Sequence, residues 1–342
     1  MSAVPFTHAD TTLLSDGLNQ VVADGATPGG FLVSGTASGD RTTVAAGVIS
    51  PETHNEAPDD RTVYDIASLT KVVATWPLIG RALHAGFLDL DTPVRDFLPA
   101  VDGPAPSVEP TVRQLLAHTS GLRASTRLDH YVDRTELLHE LILREPLETV
   151  PGPHKYINRG FILLGLALAH VHQRPLDELA ADMWDEFHMN ATTYGPITPN
   201  PWVAPTEARP GADRLWGSVH DENAATMGGV AGHAGAFASA GNLAAYAEAL
   251  LSAAPTSPLG NWLTASMKPQ AEIEPGLSRG LGWILAAGGT VSYHHGFTGT
   301  SLYLAPATGR YIVLATNAVH NGAARTRLAP LRESILKTIT TT

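Results

Sequence analysis

Val63-Tyr64-Asp65-Ile66-Ala67-Ser68-Leu69-Thr70-Lys71 is an apolar run that ends at a serine opening a helix, with a lysine three residues further on. Residues three apart on a helix share a face, so the Ser68 hydroxyl and the Lys71 amine are expected within hydrogen-bonding reach. A serine hydroxyl is a weak nucleophile until a base removes its proton. A lysine serves as that base when burial or neighbouring cations favour its amine form. The helix N-terminus adds a field that favours developing negative charge. Lysine occurs only at 71, 155, 268 and 337, so each position is informative. Ser334-Ile335-Leu336-Lys337 repeats the spacing, but nothing downstream could complete a site there, and it is expected to be a solvated pair on the last helix.

Two further elements could complete a site around Ser68. Tyr156-Ile157-Asn158 follows the turn signal Pro151-Gly152-Pro153 and precedes the helical run from Phe161 to Leu168. A phenol beside a lysine can relay protons, and Asn158 could hold the lysine and bind a substrate carbonyl. The alternative is a turn tyrosine packing its ring while Asn158 caps the following helix. His294-His295-Gly296-Phe297-Thr298-Gly299 follows a strand signal. A glycine on an exposed strand edge lets a substrate approach the backbone, and the Phe297 amide could pair with the Ser68 amide as an oxyanion hole. His294 would supply a neutral or cationic donor facing the nucleophile. His233-Ala234-Gly235 repeats the pattern in a glycine-rich loop and is expected to be structural.

No metal and no cofactor is expected. Adjacent histidines on a strand point to opposite faces, and the fifteen histidines include no His-Glu-x-x-His spacing. The chain has no cysteine, which removes a thiolate nucleophile, a disulfide framework and a Cys-based metal site.

Along the chain, residues 10–24 form a helical pattern with Leu13, Leu14, Leu18, Val21 and Val22 on one stripe. A hairpin follows, pairing Phe31-Leu32-Val33 with Val44 to Val48 across Ser38-Gly39-Asp40. A helical pattern over 68–86 is interrupted near Pro77, and Thr111 caps a short helix from Val112 to Ala117. Further helices are expected at 134–144, 159–172, 175–187, 240–253 and 258–267, with 190–238 as extended loop. Strand signals return at 281–286, 291–293, 301–304 and 311–315, before a closing helix over 323–338. The expected fold is α+β: one antiparallel sheet built from both chain ends and flanked by helices, with a large, mostly helical insertion. Residues 1–70 plus 271–342 would form the sheet domain and 71–270 the helical one, with the site in the cleft between them.

Of the 342 residues, 44% are hydrophobic and 16% charged, values ordinary for a globular protein with a large core. The net charge of −11 without a basic stripe argues against a nucleic-acid partner and against anionic membranes. No run approaches the roughly 18 apolar residues of a membrane span. The first ten residues show neither a basic nor an apolar signal region, so a cytoplasmic location is expected.

The three elements, in this order, resemble the class C β-lactamase superfamily, which includes lactamases, family VIII carboxylesterases, D-aminopeptidases, DD-peptidases and transacylases. Thr111 to Leu122, Leu88 to Pro99, Gly160 to Gly165, Val219 to Ala224 and Gly228 to Gly235 are similar to other segments of that family, so the likeness runs from about residue 10 to 335. The resemblance implies a β-lactamase/transpeptidase-like fold, with Ser68 as acyl-enzyme nucleophile and Lys71 as its proton acceptor. It further implies Tyr156 as proton shuttle, Asn158 orienting Lys71 and the acyl side, and the Ser68 and Phe297 amides as oxyanion hole. His294 stands where lactamases and DD-peptidases of the family usually carry lysine, in a Lys-Thr-Gly motif. The chain thus lacks a permanent cation for a drug's carboxylate, and His295 departs from the usual threonine.

The expected activity is acyl transfer through Ser68 to water, on a small ester, amide or lactam. An alternative acceptor is an amine or alcohol, as in a biosynthetic transacylase. A non-catalytic binding protein of the same fold is the alternative of another class.

Overall fold

The computed structural model describes residues 4–52, 55–100, 108–124, 127–128, 138–322 and 325–341. Helix α1 (His8–Ala23) starts at Thr7, whose hydroxyl accepts the Asp10 amide while Asp10 reaches back to the Thr7 amide. Its stripe buries Leu14, Leu18 and Val21, but Leu13 is exposed. The chain then forms β1 (Gly29–Thr36) and β2 (Arg41–Gly47).

Three short strands, β3 (Val63–Asp65), β4 (Thr193–Tyr194) and β5 (Ala236–Ser239), form a small antiparallel sheet in the order β3-β5-β4. The main sheet adds β6 (Ala271–Glu274), β7 (Leu277–Arg279), β8 (Ile284–Ala286), β9 (Val291–His295), β10 (Ser301–Ala305) and β11 (Arg310–Thr316). Its order is β2-β1-β11-β10-β9-β8-β7-β6, with every pairing antiparallel. First and last segments meet where β1 pairs with β11, Leu32 opposite Leu314.

Between the two ends lie α2 (Trp76–His84), α3 (Val112–Leu116), α4 (Leu138–Arg144), α5 (Asn158–His172), α6 (Leu176–Glu186), α7 (Glu222–Thr226), α8 (Ala240–Ser252) and α9 (Pro258–Ser266); α10 (Ala329–Thr340) closes the chain. The period of two divides the sheet's side chains between two cores. Leu32, Ile312 and Leu314 pack with Leu14 and Leu18 of α1 and with Leu331 and Ile335 of α10. Phe31, Val33 and Val313 point the other way, into the core built by the intervening helices. Helix α8 lies against β1 and β11, so a helix within 71–270 covers a face of the sheet.

Several expected elements differ in detail. The stretch 190–238 is not only extended loop, since it contains β4, α7 and most of β5. These elements are two to five residues long, too short to show a period, and β5 is buried along its whole length. Strands β6 and β7 were not expected. The strand expected over 281–286 is confined to Ile284–Ala286, because Gly282 has φ +86° and the Gly280 amide donates to the Trp283 carbonyl in a turn. Residues 134–137 and 323–324, at the ends of two expected helices, lie outside the described residues.

The interruption near Pro77 is real but lies just upstream. Lys71–Thr75 is a π turn, after which Pro77 sits in the first turn of α2, where its missing amide is no loss. Trp76, fully buried, stacks on Trp262 of α9 at 5.6 Å and meets the edge of Trp283 at 5.6 Å. These contacts pin the start of α2 between a helix and the loop preceding β8.

Candidate active site

Ser68 is carried not by an α-helix but by a 3₁₀ turn, Ala67–Leu69, placed between β3 and the π turn. Lys71, the first residue of the π turn, donates from Nζ to Ser68 Oγ at 3.0 Å. The turn is strained where it begins: Ala67 has φ +45°, a left-handed conformation that costs an alanine about 1–2 kcal/mol. Asp65 holds it there, its Oδ1 accepting the Ala67 amide at 2.8 Å and its Oδ2 the His220 amide at 2.7 Å. Burial pushes the Asp65 carboxyl upward, and these two amides oppose that shift.

Lys71 is fully buried, and its second partner is the carbonyl of His233, also at 3.0 Å. Asn158, expected to hold the lysine, does not. Its Oδ1 is buried with no hydrogen-bond partner among the described residues, and it does not cap α5 either, since it is the first helical residue. The His-x-Gly at 233–235 is structural, but it lies in the site. Gly232 packs so tightly that a Cβ would lie 2.1 Å from the Phe161 carbonyl oxygen and 3.0 Å from Gly165, and this close passage brings the next carbonyl onto Lys71. The imidazole of His233 is tied back by a 2.9 Å bond from Nε2 to Asp221 Oδ1. That pair helps hold the Asp221 carboxyl well below the carboxylate range, against the upward push of burial.

Tyr156 covers the lysine, with Nζ 4.9 Å from the phenol ring centroid. The backbone on both sides of Tyr156 is gripped by one residue. The His118 carbonyl accepts the Lys155 amide at 2.8 Å and His118 Nδ1 accepts the Ile157 amide at 3.1 Å, while its ring lies 4.5 Å from that of Tyr156. His118 itself has φ +56°. Behind it lies Arg279 of β7, buried, 5.8 Å from the Tyr156 ring, donating to His154 Nε2 at 3.3 Å and to the Gly282 carbonyl at 3.4 Å. Among the described residues it has no carboxylate partner. Burial lowers its guanidinium to about 10. Burial, then the charge of Arg279, lowers His154 to about 4.

His294 and His295 point to opposite faces, as their adjacency on a strand requires. His295 Nε2 bonds the Tyr303 hydroxyl at 2.9 Å on the α10 side of the sheet. His294 faces the site, 6.2 Å from the Tyr156 ring. It does not present the expected donor. Nδ1 points at the His295 carbonyl at 3.0 Å, and Nε2 is buried without a partner among the described residues. Burial first, then Arg279 and Lys71, hold the ring well below the usual histidine range. Gly296 is not on an edge strand, since β8 and β10 flank β9, but β8 pairs only as far as Tyr293. The glycine is needed for a different close approach from the one expected: a Cβ would lie 2.4 Å from the Ile66 carbonyl oxygen and 2.1 Å from Thr300 Oγ1. Thr298 Oγ1 donates to the Asp65 carbonyl at 2.6 Å and Thr300 Oγ1 to the Ile66 carbonyl at 3.2 Å, closing this seam.

Ser68, Tyr156, Asn158, His294, Gly296 and Phe297 line one cavity of about 960 Å³. The exposed Phe297 ring stacks on His220 at 5.4 Å. The Ser334–Lys337 pair lies on α10, where Lys337 is exposed and the Ser334 hydroxyl donates to the Pro330 carbonyl. Among the described residues, no group of three or more His, Asp or Glu side chains could hold a metal ion, and no helix is long and apolar enough to cross a membrane.

A sheet of both chain ends, crossed by helices and carrying a serine–lysine pair at their junction, defines the class of penicillin-recognising folds. The Beta-lactamase family profile matches residues 18–337, and the chain belongs to that family. It is 28% identical over 308 residues to a putative D-alanyl-D-alanine carboxypeptidase of Escherichia coli (strain K12), covering 77% of this chain and 70% of the relative. A β-lactamase/D-alanine carboxypeptidase from Pseudomonas syringae superposes with a TM-score of 0.76 at 18% identity, covering 96% of this chain and 99% of the other. EstCE1, described as a hydrolase with promiscuous acyltransferase activity, superposes with a TM-score of 0.74 at 20% identity, covering 96% and 100%. The fold is thus that of β-lactamases and penicillin-binding proteins.

Asp65, His118, His233 and Arg279 are the site residues that sequence reasoning missed. Asp65 and His118 stood in quoted segments without a role, and His233 acts through a backbone carbonyl that no side-chain pattern reports. The one signal for His233 was the density of glycines around it.

Proposed function

We propose that the protein is a serine hydrolase that forms a covalent acyl intermediate on Ser68 from a small ester, amide or lactam. The observation that carries this is the 3.0 Å contact between Lys71 Nζ and Ser68 Oγ at the wall of a cavity that Tyr156 also lines. Lys71, in its amine form, takes the proton of the Ser68 hydroxyl as Oγ bonds to the substrate's carbonyl carbon. The negative oxygen of the tetrahedral intermediate is stabilised by the Ser68 and Phe297 amides. Tyr156 passes a proton to the leaving group and later takes one from the incoming water, which releases the acid and restores the serine. Asn158 binds the acyl side, and the backbone at Gly296 borders the bound substrate.

The test is intact-protein mass spectrometry after incubation with activated esters and β-lactams. One acyl mass should add to the protein, map to Ser68 and be absent from Ser68→Ala. A chain that takes up no acyl group from any of these reagents would end the proposal.

The cavity favours a second outcome for the same intermediate. The cavity of about 960 Å³ extends beyond Ser68 to His295, Tyr303 and Arg332, and an acceptor would take up that further part. Transfer to an amine or alcohol would then compete with hydrolysis. Ester offered together with amine should yield amide by mass spectrometry, whereas free acid alone would exclude this outcome.

A further inference from the structure

The ring of His294 has a defined tautomer. A carbonyl oxygen can only accept, so the 3.0 Å contact from Nδ1 to the His295 carbonyl places the ring proton on Nδ1. Nε2 then carries a lone pair. It is buried, has no hydrogen-bond partner among the described residues, and belongs to a residue 2% exposed that lines the cavity. A second proton on the ring is opposed by burial first and then by the nearby charge of Arg279. Asn158 Oδ1, of a residue on the same cavity, is another buried acceptor without a partner among the described residues.

We infer that the part of the substrate lying against His294 offers a neutral O–H or N–H donor, and that the site selects against a carboxylate at that position. The inference rests on acyl transfer at Ser68 and names the substrate class for it. A carboxylate there would set its lone pairs against that of Nε2 and lose its hydration without a donor in return. The far wall adds to the bias, since Glu207, Asp221 and Glu222 line it. Among the described residues, the guanidinium groups on the cavity are those of Arg209 and Arg332, and both are engaged elsewhere. Arg209 donates to Glu207 and to the His220 carbonyl, each at 2.8 Å, and Arg332 Nε donates to Ser301 Oγ at 3.2 Å. A departing alcohol, or an incoming alcohol or amine, meets the requirement, and a leaving group ending in a carboxylate beside the scissile bond does not.

The test uses esters that share one acyl group and whose leaving groups differ at a single position: hydroxyl, primary amide or carboxylate. The p-nitrophenyl ester of the same acid reports Ser68 acylation without that contact, so its failure would count against acyl transfer itself. Where it reacts, kcat/KM for the hydroxyl and amide esters should exceed that for the carboxylate by about tenfold or more. His294→Lys should reverse the order. Equal kcat/KM across the wild-type series, or a preference for the carboxylate, would overturn the inference. An independent measurement needs no turnover. Long-range ¹H–¹⁵N spectra of the whole protein at neutral pH, with His294 assigned by a His294→Gln variant, should show the Nδ1–H tautomer. A proton on Nε2 would overturn the inference whatever the kinetics.

Discussion

The α-carbon of Gly296 faces the carbonyl oxygen of Ile66 so closely that an added methyl group would sit 2.4 Å from it. The end of β9 and the turn that carries Ser68 are therefore one packed unit, stitched further by the hydroxyls of Thr298 and Thr300. Gly296→Ala cannot be absorbed by turning the Thr300 side chain alone, because the Ile66 carbonyl, a backbone group, obstructs it as well. It should destabilise the protein by about 1–3 kcal/mol, the usual range for overpacking. Acylation should fall more steeply, about a hundredfold, since a displacement near 1 Å misplaces the nucleophile. Urea denaturation and acylation rates by p-nitrophenyl ester measure the two effects, and wild-type values for both would contradict the seam.

His118 positions Tyr156 through the amides on either side of it. His118→Leu leaves the Ile157 amide unpaired in a buried place, a loss of about 1–3 kcal/mol, and forces a left-handed φ on a residue that resists it. His118→Asn keeps an acceptor at the δ position and tolerates that φ. The expected outcome is a fall in kcat of about tenfold or more for the leucine variant, with substantial recovery in the asparagine variant. Equal loss in both would mean that the imidazole itself, and not the acceptor, is what matters.

Arg279 is a buried cation without a carboxylate among the described residues, an arrangement that costs stability. Arg279→Met should raise the urea midpoint, by an amount equivalent to about 1–3 kcal/mol, while lowering activity, the usual trade at a functional site. The same variant should let His154 climb from about 4 toward, but not to, its ordinary value, because burial is the larger cause of its shift and remains. Proton NMR titration of His154 reports this, and an unmoved value would remove Arg279 from the electrostatics of the site.

The parts of the fold that were legible in the sequence are those with a long period. Helix α1, the hairpin of β1 and β2, α5 and the strands β9 to β11 extend over enough residues for alternation or a helical stripe to show. What was not legible is short or set by contact. Strand β5 is buried from end to end and β7 has three residues, yet β7 delivers Arg279 to the site. The candidate site was legible as side chains: Ser68, Tyr156 and His294 line one cavity, and the buried Lys71 bonds Ser68 from behind it. Its backbone was not legible. The carbonyl of His233, the left-handed Ala67 and the contact of Gly296 with Ile66 depend on how distant segments meet, and residue identity at those positions does not encode it.

Acid should weaken the fold earlier than carboxylate pairing alone would. His118, His294 and His295 are each held well below the usual histidine range, by burial first and then by neighbouring cations, and His154 stands at about 4. In the unfolded chain all four take up protons near pH 6.5, whereas the native chain does not. Stability therefore falls as pH drops below about 6.5, by at most ~1.4 kcal/mol per pH unit for each group, until the native pKa is reached. Asp65 acts in the opposite sense, since its raised carboxyl binds a proton more readily in the native state, but it is one group against six, because burial also lowers His139 and His172. Asp221 and Glu207, held low by their partners, lose their contribution only below the usual carboxylate range and so leave the window between pH 6.5 and 5 to the histidines. Urea midpoints measured across that window should decline steadily, and His118→Asn, which removes one of these groups, should make the decline shallower. A flat profile from pH 7 to 5 would mean that these histidines are protonated in the native protein, and with them the neutral acceptor at His294 would be lost.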